Sequence, residues 1–400
     1  MFNAGRRFRR RGTLAAIAAV SLTFSGLWLR AQEVKITDPA SVVLIVNRDS
    51  NDIAFMDIKS RKLVGKVFLG NNVNPHMVMM SPDGRYVVTG GTRANKAYII
   101  DTRTLQLVKT IPVDIAPEHL AFSPDGRWYY QGNPDGDSIS VIDMQSLSRI
   151  KTIPGFAEPL NVTFTSDGSK AYVGNYGAHW IGVIDVRRHE LLKKIQVAEV
   201  PGIAKLDPAK YLGEIKGISN ASISNDGRWL YAADSDLGVV SVIDTREDRV
   251  VKVIRVGADP WRAYMSHDGR YAVTVNNGDE TISVIDTRSN RVAATLEAGP
   301  DMTGVNFAAG KAFVISSTSG FVYVYDMQSL KPAGRLKIGT NIQLETATTD
   351  TAEEKIYLAE STNHQVVIID ARTHAIERVG NVGLFPWGTH VMDSKDNYCH

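Results

Sequence analysis

The feature that most constrains this chain is a short phrase that returns eight times, a run of apolar residues that ends in aspartate. The eight aspartates are Asp57, Asp101, Asp143, Asp185, Asp244, Asp286, Asp326 and Asp370. They lie 44, 42, 42, 59, 42, 40 and 44 residues apart. A fixed period of this size indicates one structural unit repeated along the chain, and the single long interval indicates an insertion of about seventeen residues.

A second sequence motif recurs at the same interval and has the residues typical of a hairpin turn. It reads Ser81-Pro82-Asp83-Gly84-Arg85 in one unit and returns as Ser-Pro-Asp-Gly-Arg, Ser-Asp-Gly or Asn-Asp-Gly in others. Glycine accepts the positive φ that such turns require. Each unit therefore divides into four short strands separated by turns, which is an all-β pattern. Runs such as Val42–Val46 are apolar on consecutive residues, so both faces of these sheets are covered.

Four-stranded sheets that pack face to face around a ring are the blades of a β-propeller. The first unit, residues 41–70, has three strands, and a surplus strand lies near 389–392. We expect the surplus strand to become the innermost strand of the first blade, because this closes the ring and removes two open edges. The sequence predicts eight blades, with seven as the alternative if one weak unit is miscounted. The repeated aspartates and Asp-Gly turns are expected on one face, the bottom, where they cap turns.

The phrases Tyr172-Val-Gly-Asn175 and Tyr271-Ala-Val-Thr-Val-Asn276, with the recurring Val-Ile-Asp-Thr-Arg, resemble the YVTN-type propeller repeat over about residues 41–400. The resemblance implies the fold. The wider group contains cell-surface repeat proteins, periplasmic proteins, lactonase-like propellers and the eight-bladed haem d1 domain of nitrite reductases with its biosynthetic relatives. Because one fold carries many functions, the site has to decide among them.

The first 31 residues differ from the rest and have the order of a secretory signal peptide. An arginine cluster at 6–11 precedes an apolar run over 13–29, and Ala31 is a small residue at the expected cleavage site. We expect a signal peptide over 1–31 and a single propeller domain over 32–400 in the periplasm or outside the cell. An uncleaved membrane anchor is the alternative. Without this segment no membrane span is expected.

Charge and cysteine content exclude several classes of partner and cofactor. The whole chain has a net charge of +2, and removal of the six arginines in residues 1–31 leaves −4. No basic stripe remains, so no nucleic-acid partner is expected. The single cysteine, Cys399, excludes an internal disulfide, and the absence of a Cys-x-x-Cys-His motif excludes covalent c-type haem.

Candidate site residues lie where the repeat varies, at the start of each innermost strand, on the top face. A concave site lined by aromatic and convergent polar groups is the default ligand site. The candidates are His76, Glu118, His119, Trp261, Arg262, Asp301, Glu345, Trp387 and His390. The insertion, about 197–218, also enters on this face, either as a partial lid or as a surface loop.

The histidines of the top face have two possible roles. His76, His119 and His390 fall on adjacent blades and could ligate a metal ion or a haem iron, since imidazole suits Cu, Zn and Fe. Alternatively, they are polar residues on an exposed rim. His189, His267 and His374 map to the bottom face and are expected in solvent.

Three functions follow, in order of preference. The first is an exported module that binds a small molecule or a protein through its top face. The second is a haem d1-like or metal-dependent redox protein. The third is a lactonase-like hydrolase that uses Glu118, Asp301 and Glu345. The sequence contains no nucleophile elbow and no phosphate-binding loop.

Overall fold

The structure, a computed structural model, describes residues 36–197, 215–392, 394 and 396. The expected signal peptide (1–31) and most of the expected insertion (197–218) lie outside the described residues. Nearly all regular structure in the described part is β-strand, together with two 3-10 turns, Pro39–Ser41 and Pro134–Gly136. No helix in these ranges has the length and apolar character of a membrane span.

Blades 1 to 4 are built from the first half of the chain. Their strands are β1 (Val42–Asn47), β2 (Asp52–Asp57) and β3 (Leu63–Phe68) in blade 1; β4 (Pro75–Met80), β5 (Tyr86–Gly91), β6 (Lys96–Asp101) and β7 (Gln106–Pro112) in blade 2; β8 (Leu120–Phe122), β9 (Trp128–Asn133), β10 (Ser138–Asp143) and β11 (Ser148–Pro154) in blade 3; and β12 (Pro159–Phe164), β13 (Lys170–Asn175), β14 (Trp180–Asp185) and β15 (Glu190–Gln196) in blade 4.

Blades 5 to 8 repeat this arrangement and end with one extra strand. Their strands are β16 (Ala221–Ile223), β17 (Trp229–Asp234), β18 (Val239–Asp244) and β19 (Arg249–Arg255) in blade 5; β20 (Pro260–Met265), β21 (Tyr271–Asn276), β22 (Thr281–Asp286) and β23 (Arg291–Glu297) in blade 6; β24 (Met302–Ala308), β25 (Lys311–Ser316), β26 (Phe321–Asp326) and β27 (Lys331–Lys337) in blade 7; and β28 (Leu344–Asp350), β29 (Lys355–Glu360), β30 (Gln365–Asp370) and β31 (Ile376–Gly380) in blade 8. The extra strand is β32 (Pro386–Val391).

The ring closes as the sequence predicts. Strand β32 pairs antiparallel with β1, with Val43 opposite Val391 and Ile45 opposite Thr389, so blade 1 has the order β3-β2-β1-β32. The Asn47 side-chain amide adds a bond of 3.1 Å to the carbonyl of Val382. The prediction of eight four-stranded blades is confirmed, and the alternative of seven is wrong.

The repeated aspartates cap the turns between the third and fourth strands. In blade 2 the Asp101 carboxylate accepts the backbone N–H groups of Arg103 and Thr104 at 3.0 and 2.9 Å. The seven other aspartates each accept at least one backbone N–H from the same turn. This confirms the structural role expected for them, because a residue that every blade repeats serves what every blade needs.

Each blade is joined to the next by a pair of side chains. One member of each pair is the third residue of the blade's second strand. Its partner is the residue with positive φ in the last turn of the following blade. Four of these pairs join a tyrosine hydroxyl to a polar side chain. They are Tyr130 with His189 (2.7 Å), Tyr172 with Asp248 (2.6 Å), Tyr231 with Asn290 (2.6 Å) and Tyr357 with Arg61 (2.8 Å).

The four remaining pairs lack the hydroxyl, and their partners change accordingly. Three are aliphatic pairs within shared core clusters, Leu44 with Leu105, Val88 with Leu147 and Val273 with Leu330. In the fourth pair the Phe313 ring meets the His374 ring edge-on, with centroids 6.0 Å apart. The partner is thus polar where it faces a tyrosine hydroxyl and apolar where it faces an aliphatic chain, as burial of polar groups requires.

The bottom-face histidines differ from the expectation that they are in solvent. His189 is buried because it serves as the partner of Tyr130. His267 lies 3.0 Å from the carboxylate of Asp396 through its Nε2 atom. That carboxylate also accepts the Asn306 amide at 2.8 Å and the backbone N–H of Thr349 at 2.7 Å. Asp396, which follows β32 of blade 1, therefore contacts residues of blades 6, 7 and 8.

Candidate functional site

A cavity of about 580 Å³ opens among the inner strands. This lies within the roughly 300–1,000 Å³ typical of small-molecule sites. Its walls come from the starts of innermost strands and from loops between second and third strands, which share the top face. Residues from all eight blades line it: His76, Met77, Glu118, His119, Leu160, Tyr176, Lys216, Asp259, Trp261, Arg262, Asn277, Asp301, Met302, Thr303, Ser317, Gln343, Glu345, Thr346 and Trp387.

Most of the candidate residues from the sequence come together in this cavity. Eight of the nine line it: His76, Glu118, His119, Trp261, Arg262, Asp301, Glu345 and Trp387. The exception is His390, which lines a separate cavity of about 20 Å³ with Thr348, Thr389 and Asp396. Met77 and Thr346 line both cavities, so the smaller one adjoins the larger.

One side of the cavity, on blades 1 to 3, is a cluster of aromatic and titratable side chains. The His76 ring lies 5.2 Å from the Trp387 ring and 5.7 Å from the His119 ring, measured between centroids. The Nδ1 atom of His76 is 3.6 Å from a Glu118 carboxylate oxygen. Arg48, from the loop between β1 and β2, stacks on Trp387 at 4.4 Å and donates to Asn74 at 3.0 Å.

Burial sets the protonation of this cluster near neutral pH. It lowers the pKa of His76 to about 3, with Arg48 and Arg262 adding to the effect, so the imidazole is neutral. It raises the pKa of Glu118 to about 7 against the opposing charge of Arg48. It also raises the pKa of Glu345 to about 7, although Ser361 donates a hydrogen bond to this carboxyl group at 2.8 Å.

The opposite side of the cavity, on blades 4 to 7, combines an aromatic wall with a buried cation. The Trp261 and Tyr176 rings meet edge-on at 5.4 Å. Arg262 is 3% exposed and lies 5.5 Å from the Trp261 ring centroid. At the rim, the Lys216 ammonium group is 3.7 Å from Asp259.

The three acids considered for a hydrolase divide by environment. Glu118 and Glu345 can exchange protons near pH 7, as a general acid or base must. Asp301 lies exposed at the rim and accepts a hydrogen bond from Thr318.

The candidate set left out other residues of the site, among them Arg48, Tyr176 and Lys216. Arg48 and Tyr176 belong to loops between second and third strands, and Lys216 precedes an innermost strand. Arg48 and Tyr176 could have been found because loops between second and third strands lie on the top face. Lys216 could have been found because the expected insertion is rich in charged residues.

The described residues provide no three-ligand cluster to support the interpretation of the histidines as metal ligands. Among the residues described, no group of three His, Cys, Asp or Glu is placed to hold a metal ion. His76 and His119 share the cavity and His390 does not. His179, in another top-face loop, is instead 2.8 Å from the buried carboxylate of Asp234.

Comparison with known proteins finds likeness in fold. No family model matches this chain, and no curated protein matches it in sequence. Dihydro-heme d1 dehydrogenase NirN, solved in complex with DHE, aligns over 91% of this chain and 78% of that chain, with a TM-score of 0.73 and 19% identity. Kuenenia stuttgartiensis hydrazine synthase aligns over 78% of this chain and 97% of that chain, with a TM-score of 0.55 and 20% identity. At these identities the likeness is one of fold: this chain is an eight-bladed β-propeller similar to the one in NirN.

Proposed function

We propose that this chain is an exported propeller that binds a small molecule in its top-face cavity. The observation that carries the proposal is the convergence of eight repeat-breaking residues on one concave site. Residues that depart from a structural repeat are free to serve a ligand, whereas repeated residues serve the blades. A cavity of about 580 Å³ encloses a small molecule better than it presents a surface to a protein.

The walls favour a flat ligand that carries negative charge. Trp261 and Trp387 supply aromatic surface on two sides, and Arg262 supplies a buried cation. A guanidinium group binds carboxylate or phosphate through two parallel hydrogen bonds. The neutral His76 can donate or accept a hydrogen bond but brings no charge.

The test is recovery of the ligand from protein purified from its native host. Native mass spectrometry should find a bound small molecule that Trp261→Ala and Arg262→Gln release. The matched control is Arg228→Gln, because Arg228 stacks on Trp229 at 4.5 Å on the bottom face, outside the cavity. Equal ligand content in Arg262→Gln and Arg228→Gln would show that the cavity is not the binding site.

A second candidate function, haem handling, rests on the fold likeness to NirN together with the two imidazoles in the cavity. Haem iron needs only one or two protein ligands, so a cluster of three is not required. The residues fit this need. His76 is neutral, the form that binds metal, and its Nδ1 has no hydrogen-bond partner among the described residues.

In this candidate His76 or His119 would hold the iron, and Arg262 would bind an acidic substituent of the macrocycle. Bound haem would supply electron-transfer chemistry. Visible absorbance of native material separates the two functions. The control is His364, which does not line the cavity and accepts the backbone N–H of Phe385 at 3.2 Å. A haem band that His76→Ala or His119→Ala removes, and that His364→Ala keeps, supports haem handling. A featureless spectrum from ligand-bearing protein excludes it.

A further inference from the structure

A histidine and two aspartates form a cluster on the top face where blades 4 and 5 adjoin. His179 lies in the loop between β13 and β14, and its Nδ1 atom is 2.8 Å from the Asp234 carboxylate at the end of β17. Its Nε2 atom is 4.0 Å from the carboxylate of Asp236, in the loop that follows. The three side chains are largely buried, with exposed fractions of 12%, 0% and 11%. They form the His179 cluster, which adjoins the cavity without lining it.

Asp234 departs from the structural repeat. The last residue of the second strand is asparagine in four other blades: Asn47, Asn133, Asn175 and Asn276. The Asn175 amide, for example, donates to the carbonyl of Trp180 in its own blade at 3.2 Å. A carboxylate has no proton to donate. One oxygen of Asp234 instead accepts the backbone N–H of Leu237 at 3.1 Å, and the other faces His179 of the preceding blade. A departure of this kind serves one blade and not the scaffold as a whole.

The His179 cluster holds a chain segment that forms part of the cavity wall. The Asp236 carboxylate accepts the backbone N–H of Lys216 at 2.8 Å, and the Asp236 N–H donates to the Lys216 carbonyl at 2.9 Å. The next residue, Gly217, donates its N–H to the Tyr176 carbonyl at 2.7 Å. Both Lys216 and Tyr176 line the cavity. His179 therefore adjoins the carboxylate that fixes this wall segment.

We propose that His179 is a positioning residue that clamps the Lys216 segment of the cavity wall only while its imidazole is protonated. A protonated imidazole carries a proton on each nitrogen, so it serves Asp234 and attracts Asp236 at the same time. The neutral ring carries one proton, which the closer Asp234 takes. Asp236 then has no cation from His179, and its ionised form is better solvated by water than in its buried position. Its hold on Lys216 is weakened.

The direction of the pH dependence follows from the charges around the ring. Burial opposes protonation of His179, but the bond to Asp234 and the charges of Asp234 and Asp236 outweigh it and raise the pKa of the imidazole. The clamp is therefore complete below the usual histidine pKa of about 6.5 and is lost as the pH rises through the raised pKa. Burial also raises the pKa of Asp234, against the attraction of His179, so protonation of this carboxyl group removes the pair at acid pH.

Four further charged groups lie around the cluster on neighbouring elements. They are Glu158, Lys194, Lys216 and Asp259. Lys194 stacks on Trp180, the residue after His179, at 4.1 Å, and the Lys216 ammonium group faces Asp259. Among the described residues, the charges that act on the imidazole are those of Asp234 and Asp236. The pH response should therefore follow these two carboxylates.

The inference goes beyond the proposed function because the clamp is a property of the ligand-free protein. Its consequence for a ligand rests on the proposed function, since Lys216 and Tyr176 line the cavity. A wall that is held at neutral pH and loosened at alkaline pH binds a ligand more weakly at alkaline pH. The clamp can be tested without any ligand, so its failure would leave the binding function standing.

The experiment follows the purified, ligand-free full chain from pH 6.5 to pH 9. Hydrogen–deuterium exchange, corrected for the intrinsic exchange rate, measures opening of the backbone at residues 216–218. Opening should increase at least about threefold over this range, because a pKa raised by half a unit already gives that factor. Nuclear magnetic resonance of labelled histidine rings, with the His179 signal assigned through His179→Gln, should give a pKa for this ring above about 6.5.

The key variant is Asp234→Asn, which installs the residue that four other blades carry at this position. It should fold normally by circular dichroism, lower the pKa of His179, and make opening at 216–218 independent of pH. His179→Gln should give the same pH-independent opening, and it replaces Asp234→Asn if that variant does not fold. The control is His364→Gln, because His364 precedes the third strand of blade 8 as His179 does in blade 4 and bonds to a backbone N–H. It should change nothing at 216–218.

Two results would overturn the inference. One is opening at 216–218 with the same pH dependence in the unmodified protein and in Asp234→Asn. The other is a His179 ring that titrates at or below the usual histidine pKa of about 6.5 in the unmodified protein.

Discussion

Replacement of Tyr172 by phenylalanine tests the pairing that joins one blade to the next. The Tyr172 hydroxyl is buried and donates its one proton to the Asp248 carboxylate at 2.6 Å, and the Thr245 carbonyl oxygen lies 3.1 Å away. Burial and the bond to Asp248 raise the pKa of this hydroxyl, so it remains a donor at neutral pH. A hydrogen bond to a charged group contributes roughly 1.5–3 kcal/mol to stability.

The expected loss for Tyr172→Phe is therefore about 2 kcal/mol. The entropy of unfolding is about 2.1 cal/mol/K per residue, so a propeller of about 360 residues loses roughly 0.75 kcal/mol per degree at Tm. The midpoint of thermal unfolding, followed by circular dichroism, should fall by about 3 °C. Tyr231→Phe is the matched control, because Tyr231 donates to the neutral Asn290 side chain. Its Tm should fall by about 1 °C, since a neutral bond contributes about 1 kcal/mol.

A double variant tests the same reasoning from the other direction. Tyr231→Val with Asn290→Leu converts this pair to the aliphatic type of Val273 and Leu330. It should be more stable than the sum of its single variants predicts, because neither partner is left with an unsatisfied polar group. Equal Tm values for Tyr172→Phe and Tyr231→Phe, or simple additivity in the double variant, would refute the role assigned to these pairs.

The remaining predictions concern the two ends of the chain. Deletion of residues 386–400 should produce unfolded or aggregated protein, because it removes β32 and exposes the inner edge of β1, and size-exclusion chromatography with circular dichroism measures this. A monomer with native circular dichroism would contradict it. Exported protein should begin near Gln32 when its amino terminus is measured by mass spectrometry. An intact Met1 on membrane-bound material would instead favour the anchor.

The blade count and the face on which the cavity opens could be predicted because both follow from the repeat. The strand that ends in aspartate is the third strand of every blade. Once one unit has been divided into strands, the same division therefore applies to the other seven. Departures from the repeat at the start of each inner strand, such as His76 and Trp261, then fall on one face.

His390 shows where this reasoning stops. It lies three residues beyond Trp387 on the same strand, and a strand advances about 3.3 Å per residue. A shift of roughly 10 Å along the channel carries it out of the upper cavity. The repeat identifies which strand lines the channel, but it does not show how many residues of that strand face the cavity.

Arg48 and His189 could not be predicted because their environments depend on distant parts of the chain. Arg48 is held against Trp387, which arrives only with the closing strand. His189 is buried because Tyr130 of the preceding blade carries a hydroxyl that needs a partner. Neither partner is marked in the local sequence.

The closing strand also sets the order of events while the chain is being made. Asn47, at the end of β1, bonds to Val382, which is 335 positions later, and β32 follows after that. At roughly 5–20 residues per second, the inner edge of blade 1 stays unpaired for about 20–70 s. During that time the same edge of another nascent copy is a competing partner for β1. Delaying folding until synthesis is complete would therefore raise the yield of closed rings.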